Sequence, residues 1–144
     1  AIVPEVNGIL IVNRDHPGET PLGMTFSTLA GTIGGGAQTP GFLAPWLELD
    51  GVRERLEAYS DAAQVDLIAA GTEWDADRIR DTQVAQPLIV AASLVSYIAL
   101  TASGSRPSGV AGHSVGEIAA LAASGVVSAD DAIPSAQKPK NPIA

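Results

Sequence analysis

Cysteine is absent from the 144 residues. That excludes disulfides, thiolate-held zinc and thiol nucleophiles on this chain. Aromatic residues make up only 4 %. A core must therefore come from Ala, Val, Leu and Ile, and a hydrophobic content of 46 % is enough to build one. Basic residues are scarce as well: Lys and Arg total 8 against 16 Asp and Glu, for a net charge of −8. A nucleic-acid ligand needs a basic face to displace counterions, so no nucleic-acid partner is expected. Histidine occurs twice, as His16 and His113. No His/Asp/Glu group has metal-ligand spacing. Glu48, Glu54, Glu57, Asp61 and Glu73 read as solvated faces, not as paired catalytic carboxylates. The N-terminus has no basic region ahead of an apolar run, so no secretory signal is expected. The longest apolar run, 87–102, is too short to span a bilayer and contains Ser93, Ser96 and Tyr97. These features predict a cytoplasmic protein with no membrane partner.

What is present divides along the chain. Residues 8–12 predict a short buried strand, 13–23 a Pro/Gly-rich loop, 25–33 a second strand and 34–36 a triple-glycine loop. A helix is predicted over 51–63, with Asp50 as its N-cap and Val52, Leu56 and Tyr59 on one face. One helical turn is expected over 66–70, stopped by Gly71, and a short polar helix over 75–80. The strongest helical pattern covers 82–103, with Pro87 in its first turn and Leu88, Ala91, Ala92, Val95, Ala99 and Ala102 on a buried face. Gly125 reads as a C-cap for the helix over 117–123. Ser128 with Asp131 resembles a capping box, and Pro134 is expected to cut that helix short. Three units follow: an unassigned segment over 1–23, a partial domain over 24–133, and a tail over 134–144 with too little apolar surface to order itself.

Gly112-His113-Ser114-Val115-Gly116 carries the chemistry. It lies between the strand candidate Val110-Ala111 and a small-residue helix candidate. Strand, sharp turn and helix with Ser at the apex make a nucleophile elbow. The flanking glycines remove Cβ atoms where strand and helix approach each other. The helix start aims unpaired N–H groups and a partial positive charge at the serine, which suits a developing oxyanion. A serine hydroxyl still needs a base. His113 is adjacent to Ser114 and leaves the turn in another direction, so it is expected to tune the site, not to take the proton. Nothing in the sequence places His16 near the elbow.

Gly112-His113-Ser114-Val115-Gly116-Glu117, followed by Ile118-Ala119-Ala120-Leu121, resembles the nucleophile motif of malonyl-CoA:acyl-carrier-protein transacylases. Asp81-Thr82-Gln83-Val84-Ala85-Gln86-Pro87-Leu88 is similar to the segment that opens the preceding helix. Gly36-Ala37-Gln38-Thr39-Pro40-Gly41-Phe42 is similar to the end of the family's N-terminal Pro-Gly-Gln-Gly-x-Gln loop. The three motifs occur in the family's order. The resemblance implies an α/β fold: a partial parallel sheet with flanking helices, the elbow in the large acyltransferase subdomain, and no small ferredoxin-like subdomain. It implies no cofactor. Ser114 would take a malonyl group from coenzyme A and pass it to the phosphopantetheine thiol of acyl carrier protein. By the same resemblance Val115 and Gly35 supply oxyanion N–H groups, and Gln86 lines the pocket.

The chain departs from the family pattern in two places. Gly35 stands where the loop has Gln, and the place of the malonate-gripping Arg falls at Pro139, between Lys138 and Lys140. The family's downstream His has no counterpart here. Weak or absent activity of this chain alone is therefore expected. Two alternatives remain: an α/β-hydrolase-type esterase, which would need an acid and a His after the serine, and a non-catalytic interaction module.

Overall fold

The structure, a computed structural model, describes residues 9–12, 38–102, 109–112 and 114–137. Among these lie strands β1 (Ile9–Val12) and β2 (Gly109–Gly112) and a 3-10 turn at Ala44–Glu48. Six helices complete them: α1 (Val52–Ala63), α2 (Leu67–Thr72), α3 (Ala76–Arg80), α4 (Thr82–Thr101), α5 (Val115–Ala123) and α6 (Ala129–Ser135). The strand expected over 25–33 and the loop over 34–36 lie outside the described residues, as do residues 138–144 of the expected tail.

Helix α4 is the hub. It packs against α1, α2, α3, α5 and α6. Encirclement explains why residues 87–96 are all buried, not only one face of them. The sequence pattern suggested a single stripe because Ala and Ser look neutral in a periodicity count, yet both fit where helices crowd together. Leu88, Val90 and Ala91 are fully buried, as are Leu56 of α1, Leu67 of α2, Ile79 of α3 and Ile133 of α6. Each of these Leu and Ile side chains contributes about 2 kcal/mol by leaving water. The window Thr82–Ala99 is long and apolar enough to cross a membrane by length and composition, but most of it is buried against the other helices.

Local chemistry sets the helix ends. Asp66, Asp75 and Asp81 each accept a backbone N–H at the start of α2, α3 and α4, satisfying one of the orphan donors there. Ser128 Oγ accepts from Asp131 N at 3.1 Å and donates to Asp131 Oδ2 at 2.9 Å, so the expected cap forms. Past α5, Gly125 N bonds Ala122 O and Val126 N bonds Leu121 O. With φ +81° at Gly125 this is a Schellman ending.

Five expectations are corrected. The N-cap of α1 is Gly51 at φ 78°, not Asp50; the chain needs a left-handed residue there to turn out of the 3-10 segment. Gly71 does not stop α2 but lies buried inside it, because Leu43 presses on that spot. Pro87 is the sixth residue of α4, beyond its first turn, and α6 continues through Pro134 to Ser135. Tertiary packing outweighs the hydrogen bond that each proline removes. Finally, the described strand pair is antiparallel, not parallel: Ile9 faces Gly112, Leu10 faces Ala111, Ile11 faces Val110 and Val12 faces Gly109. A parallel pair requires a crossover that returns the chain to the same end of the sheet. Here β2 enters from the end where β1 leaves.

Candidate active site

Ser114 sits between β2 and α5 with φ 58° and ψ −124°. Among the described residues, Gln64 is the other non-glycine with positive φ. A side chain in this region of conformational space is strained by roughly 1–3 kcal/mol, and such strain persists only where the surroundings impose it. What imposes it here is visible in two glycines. A Cβ on Gly112 would lie 2.6 Å from Glu117 N and closer still to the Gly116 carbonyl. Gly116 is itself buried in the first turn of α5. Strand and helix therefore touch backbone to backbone, and the chain must reverse within the two positions that separate them.

The serine side chain is exposed. Although Ser114 stands at the N-cap position, its side chain makes no capping hydrogen bond. A serine at a helix start normally turns its oxygen onto the N2 or N3 amide. The left-handed backbone points this one elsewhere and leaves the hydroxyl available. The Ser114 carbonyl still accepts from Glu117 N at 3.0 Å, which closes the first turn. Val115, the first helical residue, has no carbonyl one turn back, so its N–H is an orphan donor beside the serine. The nine-residue helix behind it packs on α4 and β2.

Gln86 is half-buried on α4, which packs against α5. Gly35, His113 and His16 lie outside the described residues. The structure thus joins Ser114 and Val115 in one turn and puts Gln86 on the neighbouring helix. An open hollow of about 780 Å³ lies elsewhere, lined by Arg53, Glu57, Asp61, Gln64 and Asp66 among others. None of its lining residues belongs to β2, α4 or α5, and its mixed charges give no single ligand class. Burial raises the Tyr59 hydroxyl above its ordinary pKa of 10.0, against the lowering effect of Arg55. That group belongs to the contact of α1 with α6, not to the elbow.

A residue the sequence reading passed over is Gln137. The sequence places it in the tail over 134–144, yet its Nε2 donates to the Gln83 carbonyl at 3.1 Å. Pro87, which leaves the Gln83 carbonyl without its helical donor, is the signal available in the sequence.

A serine with positive φ between strand and helix, its side chain unused for capping, has the geometry of a nucleophile elbow, a device found in serine acyl transfer and hydrolysis. Comparison with known proteins narrows this. Residues 37–138 match the acyl transferase domain family, and the chain belongs to that family. It is 50 % identical over 103 residues to the malonyl CoA-acyl carrier protein transacylase of Mycobacterium bovis, a match covering 69 % of this chain and 34 % of that protein. The crystal structure of MCAT from Mycobacterium tuberculosis superposes with a TM-score of 0.67 at 49 % identity, over 72 % of this chain and 35 % of that one. The chain spans about a third of the length of these relatives. A different family matches the other end: residues 1–48 match the C-terminal part of the ACS/CODH beta subunit. There the chain is 74 % identical over 43 residues to the carbon monoxide dehydrogenase/acetyl-CoA synthase subunit alpha of Moorella thermoacetica, which covers 30 % of this chain and 6 % of that protein.

Proposed function

We propose that this chain carries the nucleophile of a malonyl-CoA:acyl-carrier-protein transacylase of fatty-acid synthesis, acting in the cytoplasm, with Ser114 as the acyl-accepting group. The observation that carries the reading is the left-handed Ser114 at the start of α5, with its hydroxyl unused for capping. In the first half-reaction Ser114 Oγ bonds to the malonyl carbonyl carbon, the C–S bond breaks, and coenzyme A leaves as the thiol with the serine proton. In the second, the phosphopantetheine thiol of the carrier protein attacks the malonyl ester, and the proton returns to Ser114. The Val115 N–H is suited to stabilise the oxyanion in both steps, because an orphan amide at a helix start carries partial positive charge already aimed at the serine. Gln86 lines the acyl pocket from α4, and His113, assigned from the sequence motif, tunes the site. Gly35, the second oxyanion donor by resemblance, precedes residues 37–138 and rests on the sequence motif alone. No described residue is assigned as the base.

The same reading makes the chain a composite. Residues 37–48 belong to both family matches, and the change of descent falls within that overlap. Without cysteine, the N-terminal portion offers no thiolate to any metal cluster.

The test is intact-protein mass spectrometry after incubation with malonyl-CoA, beside Ser114→Ala. A single malonyl adduct that forms slowly on the wild-type chain and is absent from the variant supports the reading. Ester hydrolysis with no retained adduct and no preference for thioesters would favour an esterase instead.

A further inference from the structure

Pro87 has no N–H, so the carbonyl one turn before it, that of Gln83, lacks its helical donor. That carbonyl accepts Gln137 Nε2 at 3.1 Å, across 54 positions of sequence. Gln137 follows α6, whose C-terminal end is anchored by buried Ala132, Ile133 and Ala136. A rigid element thus hands its last side chain to the one backbone site in α4 that the proline disables. Gln86 lies in the same turn, directly before Pro87 and three residues after Gln83.

We infer that Gln137 is a positioning residue for the acyl pocket: its amide replaces the hydrogen bond that Pro87 removes and so holds the turn of α4 that presents Gln86. The inference rests on the transacylase reading for its functional half and on the hydrogen bond alone for its structural half. A glutamine fits the task because its amide donates without charge, and a carbonyl in a half-buried setting accepts a neutral donor at little desolvation cost. Losing such a bond weakens the local structure by a factor of roughly 2 to 10. The proline supplies an internal control. Pro87→Ala restores an N–H to the Gln83 carbonyl, and the side-chain donor then becomes redundant.

The experiment compares four full-length chains: wild type, Gln137→Ala, Pro87→Ala and the double variant. Two readouts are taken: amide hydrogen exchange at Ala85, Gln86 and Leu88, and the malonyl-CoA concentration giving half-maximal rate of Ser114 acylation. Gln137→Ala should speed exchange at these amides about 2- to 10-fold. It should raise the half-saturating concentration by a similar factor with the maximal rate within twofold, and adding Pro87→Ala should reverse both changes. Unchanged exchange in Gln137→Ala, or a change that Pro87→Ala does not reverse, overturns the hydrogen-bond replacement. Faster exchange with unaltered half-saturation overturns the role in the pocket. A wild-type chain that forms no adduct overturns the role in the pocket for this chain while the family assignment stands, and the exchange comparison still decides whether Gln137 substitutes for the lost bond.

Discussion

Replacing Ser114 by glycine should stabilise the protein while abolishing acylation, and replacing it by alanine should abolish acylation without that gain. Ser114 has φ 58°. An L side chain in the left-handed region costs roughly 1–2 kcal/mol, because its Cβ crowds the neighbouring carbonyl. Alanine keeps its Cβ and therefore keeps the strain; it removes an exposed hydroxyl with no capping bond, which matters little to stability. Glycine releases the strain but loses about 0.5–1 kcal/mol through the greater freedom of its unfolded chain. The net expectation is that Ser114→Gly exceeds Ser114→Ala by about 0.5–1 kcal/mol, or about 2–4 °C in Tm for a chain of this size. Urea denaturation followed by circular dichroism, with a thermal scan beside it, measures the difference. Malonyl-adduct mass spectrometry on the same samples should show none for either variant. If the glycine variant proves no more stable than the alanine variant, the turn is not strained and the elbow argument loses its physical basis.

The two glycines flanking α5 should respond to the same substitution for different reasons. Gly112→Ala drives a Cβ into the backbone of Gly116 and Glu117, so it should cost about 3 kcal/mol or more and eliminate the adduct. Gly125→Ala meets open space but retains φ +81°, so about 1 kcal/mol is lost with the adduct kept; equal urea midpoints for the pair would contradict this. Gly71→Ala would place its Cβ 2.7 Å from Leu43 Cγ and 2.8 Å from Leu43 Cβ; no rotamer change moves that Cβ, and the Leu43 N–H bond to the Gly71 carbonyl at 3.0 Å ties the two backbones together. A loss of about 1–3 kcal/mol is expected, partly recovered in a Gly71→Ala, Leu43→Ala double variant, and strict additivity would argue against the contact. Tyr59 titrates above 10.0 in the folded protein because burial disfavours its phenolate. A raised acid pKa leaves stability intact below the unfolded value and removes it as pH climbs past that value. Urea midpoints of wild type should therefore fall between pH 10 and 11 more steeply than those of Tyr59→Phe.

The elbow was legible in the sequence because steric exclusion enforces part of it: a Cβ at 112 would run into the backbone of Gly116 and Glu117 where strand and helix meet. The helix starts at Asp66, Asp75 and Ser128 were legible for a related reason, since a short acceptor side chain satisfies donors within its own turn. What could not be read depends on partners distant in sequence. Gly71 resembles a helix stop until Leu43 is known to rest on it. Pro87 resembles a first-turn residue until five neighbouring helices are seen to hold α4 together around it. Gln137 resembles part of a polar tail until the carbonyl it serves, on another helix, comes into view. The direction of β1 against β2 is likewise a long-range property that neither four-residue strand encodes.

The overlap between the two family matches has a physical resolution. Residues 37–48 could belong to either side by sequence, but packing distinguishes them. Leu43 is 1 % exposed and sits in the same core cluster as Leu56, Leu88 and Ile133, with Phe42, Trp46 and Leu47 against it. The Leu43 N–H is bonded to the Gly71 carbonyl, and the 3-10 turn packs on α1. A segment that fills the acyltransferase core and needs a glycine in α2 to do so is folded as part of that body, whatever its ancestry. A chain begun at Gln38 should accordingly retain the helical signal and one cooperative unfolding transition. Its stability should differ from that of the whole chain chiefly by what β1 contributes along β2. If removal of 1–37 instead dissolves the core, the N-terminal portion is structural, and the boundary between the two inheritances does not coincide with a boundary in the fold.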